Sequence, residues 1–146
     1  MCASVVDRSR LLNDWRTLEY ILLGDLRDVL EEPLDSSNLT WTLAIVDTLL
    51  TTLPRELDLA ETGQYLNLNR QDHQSHDDDF MSLLTEKHKV YVRLRELRSE
   101  LATRGLQEET ITRLKHELHL WMKQLIHHHR NERHLESRLG LPARSA

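Results

Sequence analysis

Leucine recurs at steps of three and four along almost the whole chain, in four long runs, and this constrains the fold more than any other feature. Four glycines and three prolines in 146 residues leave few places to turn. A spacing near 3.6 residues puts each run's apolar residues on one stripe of a helix, and such stripes must bury against one another. The first run covers residues 8–32, with Leu11, Trp15, Leu18, Leu22, Leu26 and Val29 as its stripe. Pro33 follows, and Asp35, Ser36, Ser37 and Asn38 can cap the next start. The second run, 39–61, carries Leu39, Leu43, Val46, Leu50, Leu53 and Leu57, and Pro54 within it predicts a kink or a split. Gly63 closes it, and 64–75 (QYLNLNRQDHQS) reads as a polar connection anchored by Tyr65 and Leu66.

The third helix is predicted from Asp77 to Arg104, with Gly105 as its stop and Phe80, Leu83, Val90, Leu94, Leu97 and Leu101 as its stripe. The fourth is predicted from near Glu108 to a point before Gly140 and Pro142. Its stripe is Ile111, Leu114, Leu118, Trp121, Leu125, His128, Glu132, Leu135 and Leu139. No segment has the two-residue alternation of a strand. The expected fold is all-α, an antiparallel four-helix bundle of up-down-up-down topology. One domain, 1–146, is expected, with frayed ends at about 1–7 and 141–146.

Composition narrows the function classes. Acidic residues outnumber basic ones, 24 to 19, so no nucleic-acid partner is expected. Arg93, Arg95 and Arg98 cluster, but Glu96 and Glu100 interleave with them as on a solvated helix face. A lone cysteine, Cys2, allows no internal disulfide and points to a reducing compartment. No apolar run approaches the ~18 residues of a membrane span, and no signal-peptide core opens the chain. A cytoplasmic protein with no membrane contact is the expectation.

The stretch IHHHRNER, 126–133, interrupts the fourth stripe. Steps of three and four carry the seam from Leu125 through His128 and Glu132 to Leu135, so those two polar residues share the apolar face. His127 and His129 sit about 100° to either side and should flank it. Glu61 follows Leu57 by four residues on the second helix, and Lys87 falls between Leu83 and Val90 on the third. Aligned helices would bring Glu61, Lys87, His128 and Glu132 into one polar layer. Ionisable groups there must be paired, hydrogen-bonded or bound to metal.

These residues resemble the hemerythrin-like, or HHE cation-binding, domains over roughly 8–139. Those are four-helix bundles that commonly hold a di-iron centre between histidines and carboxylates. The Asp-His of the family's first helix is matched by Asp14–Trp15, followed by Leu18 and Leu22. Its His-x3-Glu on the second helix is matched by Leu57 and Glu61, before Tyr65–Leu66. Glu86–Lys87 stands for Glu-His on the third, with His88 one step on, and His128 with Glu132 matches the fourth helix's His-x3-Glu. The resemblance implies His128, Glu132 and Glu61 as surviving metal ligands, with Trp15, Leu57 and Lys87 where further histidines would stand. Lys87 would pair with Glu61 or Glu132 in a layer that satisfies its acids without metal.

The expectation is therefore a vestigial site in a non-catalytic regulatory or interaction protein, with an unknown protein partner and no cofactor. The alternative is an iron- or zinc-binding domain, using His128, Glu132 and Glu61, with His88 or His129 as a further ligand, that senses or binds a small molecule such as oxygen. A homodimer is a third reading, because Leu12, Leu23 and Leu30 widen the apolar face of the first helix. Elsewhere the pattern is structural. Asp77, Asp78 and Asp79 in HQSHDDDF complement a helix N-terminus. His116 and His119 read as a solvent-facing pair, His127, His129 and His134 as a flank, and Trp15, Trp41 and Trp121 as core filling. No phosphate loop, nucleophile elbow, zinc-type cysteine pair or catalytic triad spacing is present.

Overall fold

A computed structural model describes the backbone of residues 5–61, 77–104 and 107–138, and the side chains of 10–58, 78–104 and 107–138. The connection 64–75 and Cys2 lie outside the described residues. Four helices follow in order: α1 (Val5–Glu31), α2 (Ser36–Glu61), α3 (Asp77–Arg104) and α4 (Glu108–Arg138). Each packs on the next and α4 closes against α1, while the backbones of the diagonal pairs stay apart among the described residues. This is the expected all-α four-helix bundle. The α1–α4 seam is the most open of the four. Among the described residues, no helix is long and apolar enough to cross a membrane.

Local chemistry sets the turns. Asp35 caps α2, its Oδ1 accepting the Asn38 backbone N–H at 2.9 Å, while Asn38 Nδ2 donates to the Pro33 carbonyl at 2.6 Å. Between α3 and α4, the Thr110 hydroxyl donates to the Arg104 carbonyl at 2.8 Å and the Gln107 carbonyl accepts the Thr110 N–H at 3.1 Å. Lys115 Nζ reaches the Glu32 carbonyl at 2.9 Å, tying the start of α4 to the end of α1. Pro54 does not split α2, which runs unbroken to Glu61. Proline removes one backbone donor, but Leu53 and Glu56 on either side are fully buried and hold the helix in place.

On α3 and α4 the inward faces match the sequence stripes. Leu83, Lys87, Val90, Leu94, Leu97 and Leu101 point in from α3, and Leu114, Leu118, Trp121, Leu125, His128, Glu132 and Leu135 from α4. On α1 and α2 the stripes need correction. The buried face of α1 is Leu12, Arg16, Glu19, Leu23, Leu26 and Leu30, whereas Leu11 and Leu18 are 42% and 38% exposed. The buried face of α2 is Thr42, Ile45, Val46, Leu49, Leu53 and Glu56. Each helix is thus turned by about one residue, or 100°, from its expected setting. The widening leucines Leu12, Leu23 and Leu30 are the core residues. Of the tryptophans, Trp121 fills the core with its indole donating to the Val90 carbonyl at 2.9 Å, Trp15 is half-buried, and Trp41 faces solvent.

One continuous apolar core runs from Leu23, Leu26 and Leu30 on α1 and Leu34 in the turn after it, through Ile45–Leu53 on α2 and Val90–Leu101 on α3, to Leu114–Leu125 on α4. Leu12, Leu83 and Leu135 are also buried but fall outside that cluster. On each of their helices a charged residue, Arg16, Lys87 or Glu132, separates them from it in the chain. The outer faces carry ion pairs such as Arg93–Glu96 and Arg98–Asp47. Exposed pairs of this kind add little stability.

The turned setting of α1 can be checked directly. Leu23→Ala should destabilise the bundle by about 2–5 kcal/mol, as expected for a core leucine. Leu18→Ala should cost less than about 1 kcal/mol. Urea denaturation of the two variants would separate this setting from one in which Leu18 is the core residue.

Candidate functional site

Polar and charged residues on the inward faces meet at one level of the bundle. Arg16 and Glu19 come from α1, Thr52 and Glu56 from α2, Lys87 from α3, and His128, His129 and Glu132 from α4. All are buried, and Glu136 and Glu86 stand at the rim with 16% and 39% of their side chains exposed. Long polar side chains close the open α1–α4 seam, where small apolar ones would not span it.

One half of the layer consists of ion pairs. Lys87 Nζ lies 3.1 Å from Glu56 Oε1 and 3.0 Å from Glu132 Oε2, linking α3 to α2 and α4. Arg16 adds α1, with one guanidinium nitrogen 2.9 Å from Glu136 Oε1 and the other 3.5 Å from Glu132 Oε2. Desolvation works against the Arg16 charge, but Glu132 and then Glu136 outweigh it and hold the guanidinium more firmly protonated than usual. Burial lowers the Lys87 pKa, partly opposed by Glu56. Glu132 is pushed well above the ordinary carboxyl range by burial, against the pull of Arg16 and with Glu56 adding repulsion.

The other half joins carboxylates to imidazole. His129 Nε2 lies 2.9 Å from Glu19 Oε1, and the Thr52 hydroxyl donates to Glu19 Oε2. The donor atoms of Glu19, Glu56 and His129 fall within 4.8 Å of one another. Burial raises Glu56 to about 8, against the attraction of Lys87 and with Glu19 adding repulsion. Burial lowers His129 to about 3, against Glu56, so the imidazole is neutral and donates Nε2–H to Glu19. Tyr20 meets the His129 ring edge-on at 5.1 Å, and Arg133 covers Tyr20 at 5.2 Å. His128 is lowered to about 2 by burial, then by Lys87 and His129. Its Nδ1 is 2.7 Å from Glu86 Oε1 and donates to it, leaving Nε2 facing Glu132 Oε1 at 3.5 Å.

Several polar atoms in the layer are buried without a hydrogen-bond partner. They include Glu56 Oε2, Glu132 Oε1, His128 Nε2 and His129 Nδ1. Such atoms are rare in folded proteins and mark a site with unused coordinating or proton-binding capacity.

The sequence candidates take different places. His128 and Glu132 are neighbours in the layer, but Glu132 faces Lys87 and Arg16. Glu61 is the last residue of α2, and its side chain lies outside the described residues. Glu56 is the α2 carboxylate that the structure places against Lys87. His129 does not flank the seam; it is fully buried beside His128, while His127, His134 and His88 are exposed. Arg16, Glu19 and Glu56 were not singled out by their residue type. Spacing did mark the two on α1: the steps Leu12, Arg16, Glu19, Leu23, Leu26 and Leu30 are as regular as any apolar seam in the chain. No family model, no curated protein and no solved structure matches this chain.

A di-iron centre of the kind that the resemblance implies does not fit this layer. The Lys87 ammonium sits between Glu56 and Glu132, where it opposes a second cation. Trp15 and Leu57, at two further expected ligand positions, are half-buried side chains with no coordinating atom.

Stability should respond to pH through these shifts. A histidine whose folded pKa lies below its unfolded value contributes stability above about 6.5 and loses it as pH falls, because only the unfolded chain takes the proton. Glu56 has the opposite sign between 4.5 and about 8, where only the folded chain holds its proton. Comparison with His129→Gln isolates the imidazole. Between about pH 6 and pH 4, metal-free wild type should lose stability relative to this variant by on the order of 1 kcal/mol per pH unit. Denaturation of both proteins across this range is the check, and parallel profiles would contradict it.

Proposed function

We propose that this chain is a hemerythrin-like four-helix bundle whose dinuclear metal site is vestigial, and that it works as a non-catalytic regulatory or interaction protein. The observation that carries this reading is the buried Lys87, held between Glu56 and Glu132. An ammonium there stabilises the acids that a second metal ion would otherwise bind. Arg16 on Glu132 and Glu136 acts in the same sense. With these cations in place, the layer has no room for paired iron chemistry.

A role through contacts draws support from the outer surface. Leu11, Leu18 and Ile21 on α1 and Trp41 on α2 are large apolar side chains left between 38% and 64% exposed. The three on α1 lie within eleven residues, about 15 Å of helix. Surface of this kind is suited to a protein partner, a second copy of the chain included.

The test is anaerobic loading of tag-free protein with Fe(II), desalting and elemental analysis. The expected result is fewer than two irons per chain, with His128→Ala leaving metal content unchanged while lowering stability. Two irons per chain, lost in His128→Ala, would overturn the proposal.

A further inference from the structure

The ion-pair half of the layer leaves its other half short of positive charge. Four acidic side chains, Glu19, Glu56, Glu132 and Glu136, meet at this level with two basic ones, Arg16 and Lys87. Lys87 and Arg16 sit on the Glu132 side, and both contact that carboxylate. Glu19, by contrast, is met by the Thr52 hydroxyl and the neutral His129 imidazole, neither of which brings a positive charge.

We infer that Glu19, Glu56 and His129 form a binding site for a single divalent transition-metal ion, separate from the paired-iron arrangement. Two carboxylates and one imidazole are a donor set for ions such as Zn²⁺, Co²⁺, Mn²⁺ or Fe²⁺. The three donors already lie within 4.8 Å of one another, and all three residues are fully buried. Bonds of about 2.0–2.2 Å place neighbouring ligands about 3–3.5 Å apart, so closure needs side-chain shifts of the order of 1 Å. Glu56 uses Oε1 on Lys87, and its Oε2 is buried with no partner. That free oxygen is the second, independent sign of a missing ligand.

Supporting groups surround the three. The Thr52 hydroxyl holds Glu19 by Oε2, which leaves Oε1 directed at His129. Outer partners of this kind orient a ligating carboxylate. Tyr20 packs edge-on against His129 and limits the ring's rotation. The ion would take the place of the Nε2 proton that His129 now shares with Glu19. Three ligands come from α1, α2 and α4, so the ion would tie the open α1–α4 seam to the second helix.

The test uses the full chain, stripped with EDTA and titrated with Co²⁺ while its visible absorption is followed, then desalted and analysed for metal. The expected result is one Co²⁺ per chain with a d–d spectrum. Glu56→Gln and His129→Ala should each weaken binding at least about tenfold, the smallest loss seen even for outer partners of a ligand. The double variant His116→Ala/His119→Ala, altering the outer face of α4, should bind as wild type does. Glu19→Gln serves if either ligand variant fails to fold by circular dichroism. No retained Co²⁺, or retention that persists in the folded ligand variants, would overturn the inference and leave the vestigial-site proposal standing. Two ions per chain would overturn that proposal as well.

Discussion

The Lys87 ammonium, fully removed from water between carboxylates of α2 and α4, is the contact around which the bundle is arranged. Moving a lysine and two glutamates out of water costs several kcal/mol per ion before their attraction is counted. The arrangement persists only where all the partners arrive at the same level. Sliding one helix by a heptad, about 10 Å, would set Lys87 against leucine and leave Glu56 and Glu132 unpaired. A leucine-rich core tolerates such slips, because leucine fits against leucine at many registers. The charged layer removes that freedom, as a buried polar residue does in a coiled coil.

The layer has two different characters side by side. Around Glu132, Lys87 and Arg16 bring cationic groups that meet the acids by ion pairing. Around Glu19, the partners are a neutral imidazole and a hydroxyl, which supply hydrogen bonds but no net charge. Glu56 belongs to both, with one oxygen on Lys87 and one oxygen free. That shared position explains why its proton is held so tightly: burial and Glu19 both resist its ionisation, and Lys87 alone cannot cancel them.

The sequence made the helices legible because their signal is redundant. Four apolar runs, an aspartate cap and the scarce prolines and glycines all agree, and the ends of α3 and α4 fall where expected. The inward faces were legible only where apolar residues dominate them. On α3 and α4, leucines on both sides of Lys87 and of His128–Glu132 fixed the seam. On α1 the true face carries Arg16 and Glu19, and a parallel stripe through Leu11, Leu18 and Leu22 is more apolar. Hydrophobicity therefore selected the wrong one. The same bias hid Glu56 on α2, since Leu57 beside it looked like the better core residue. The site was half visible for that reason: its α3 and α4 members stood out against leucine, and its α1 and α2 members looked like surface. His129 escaped for a geometric reason, because a wide α1–α4 seam lets two adjacent residues of α4 face inward.

The separation of Leu12, Leu83 and Leu135 from the main core bears on how the molecule opens. Apolar cohesion is cooperative only across contacts, and the charged layer interrupts those contacts on three helices. Among the described residues, the end of the bundle beyond the layer has a small share of the apolar burial, so its amides are expected to exchange with solvent by partial opening while the leucines from Leu23 to Leu125 stay closed. The layer thereby acts as a boundary between two cooperative units within one bundle. Access to Glu19, Glu56 and His129 from solvent then requires only the smaller unit to open, and the main core need not come apart.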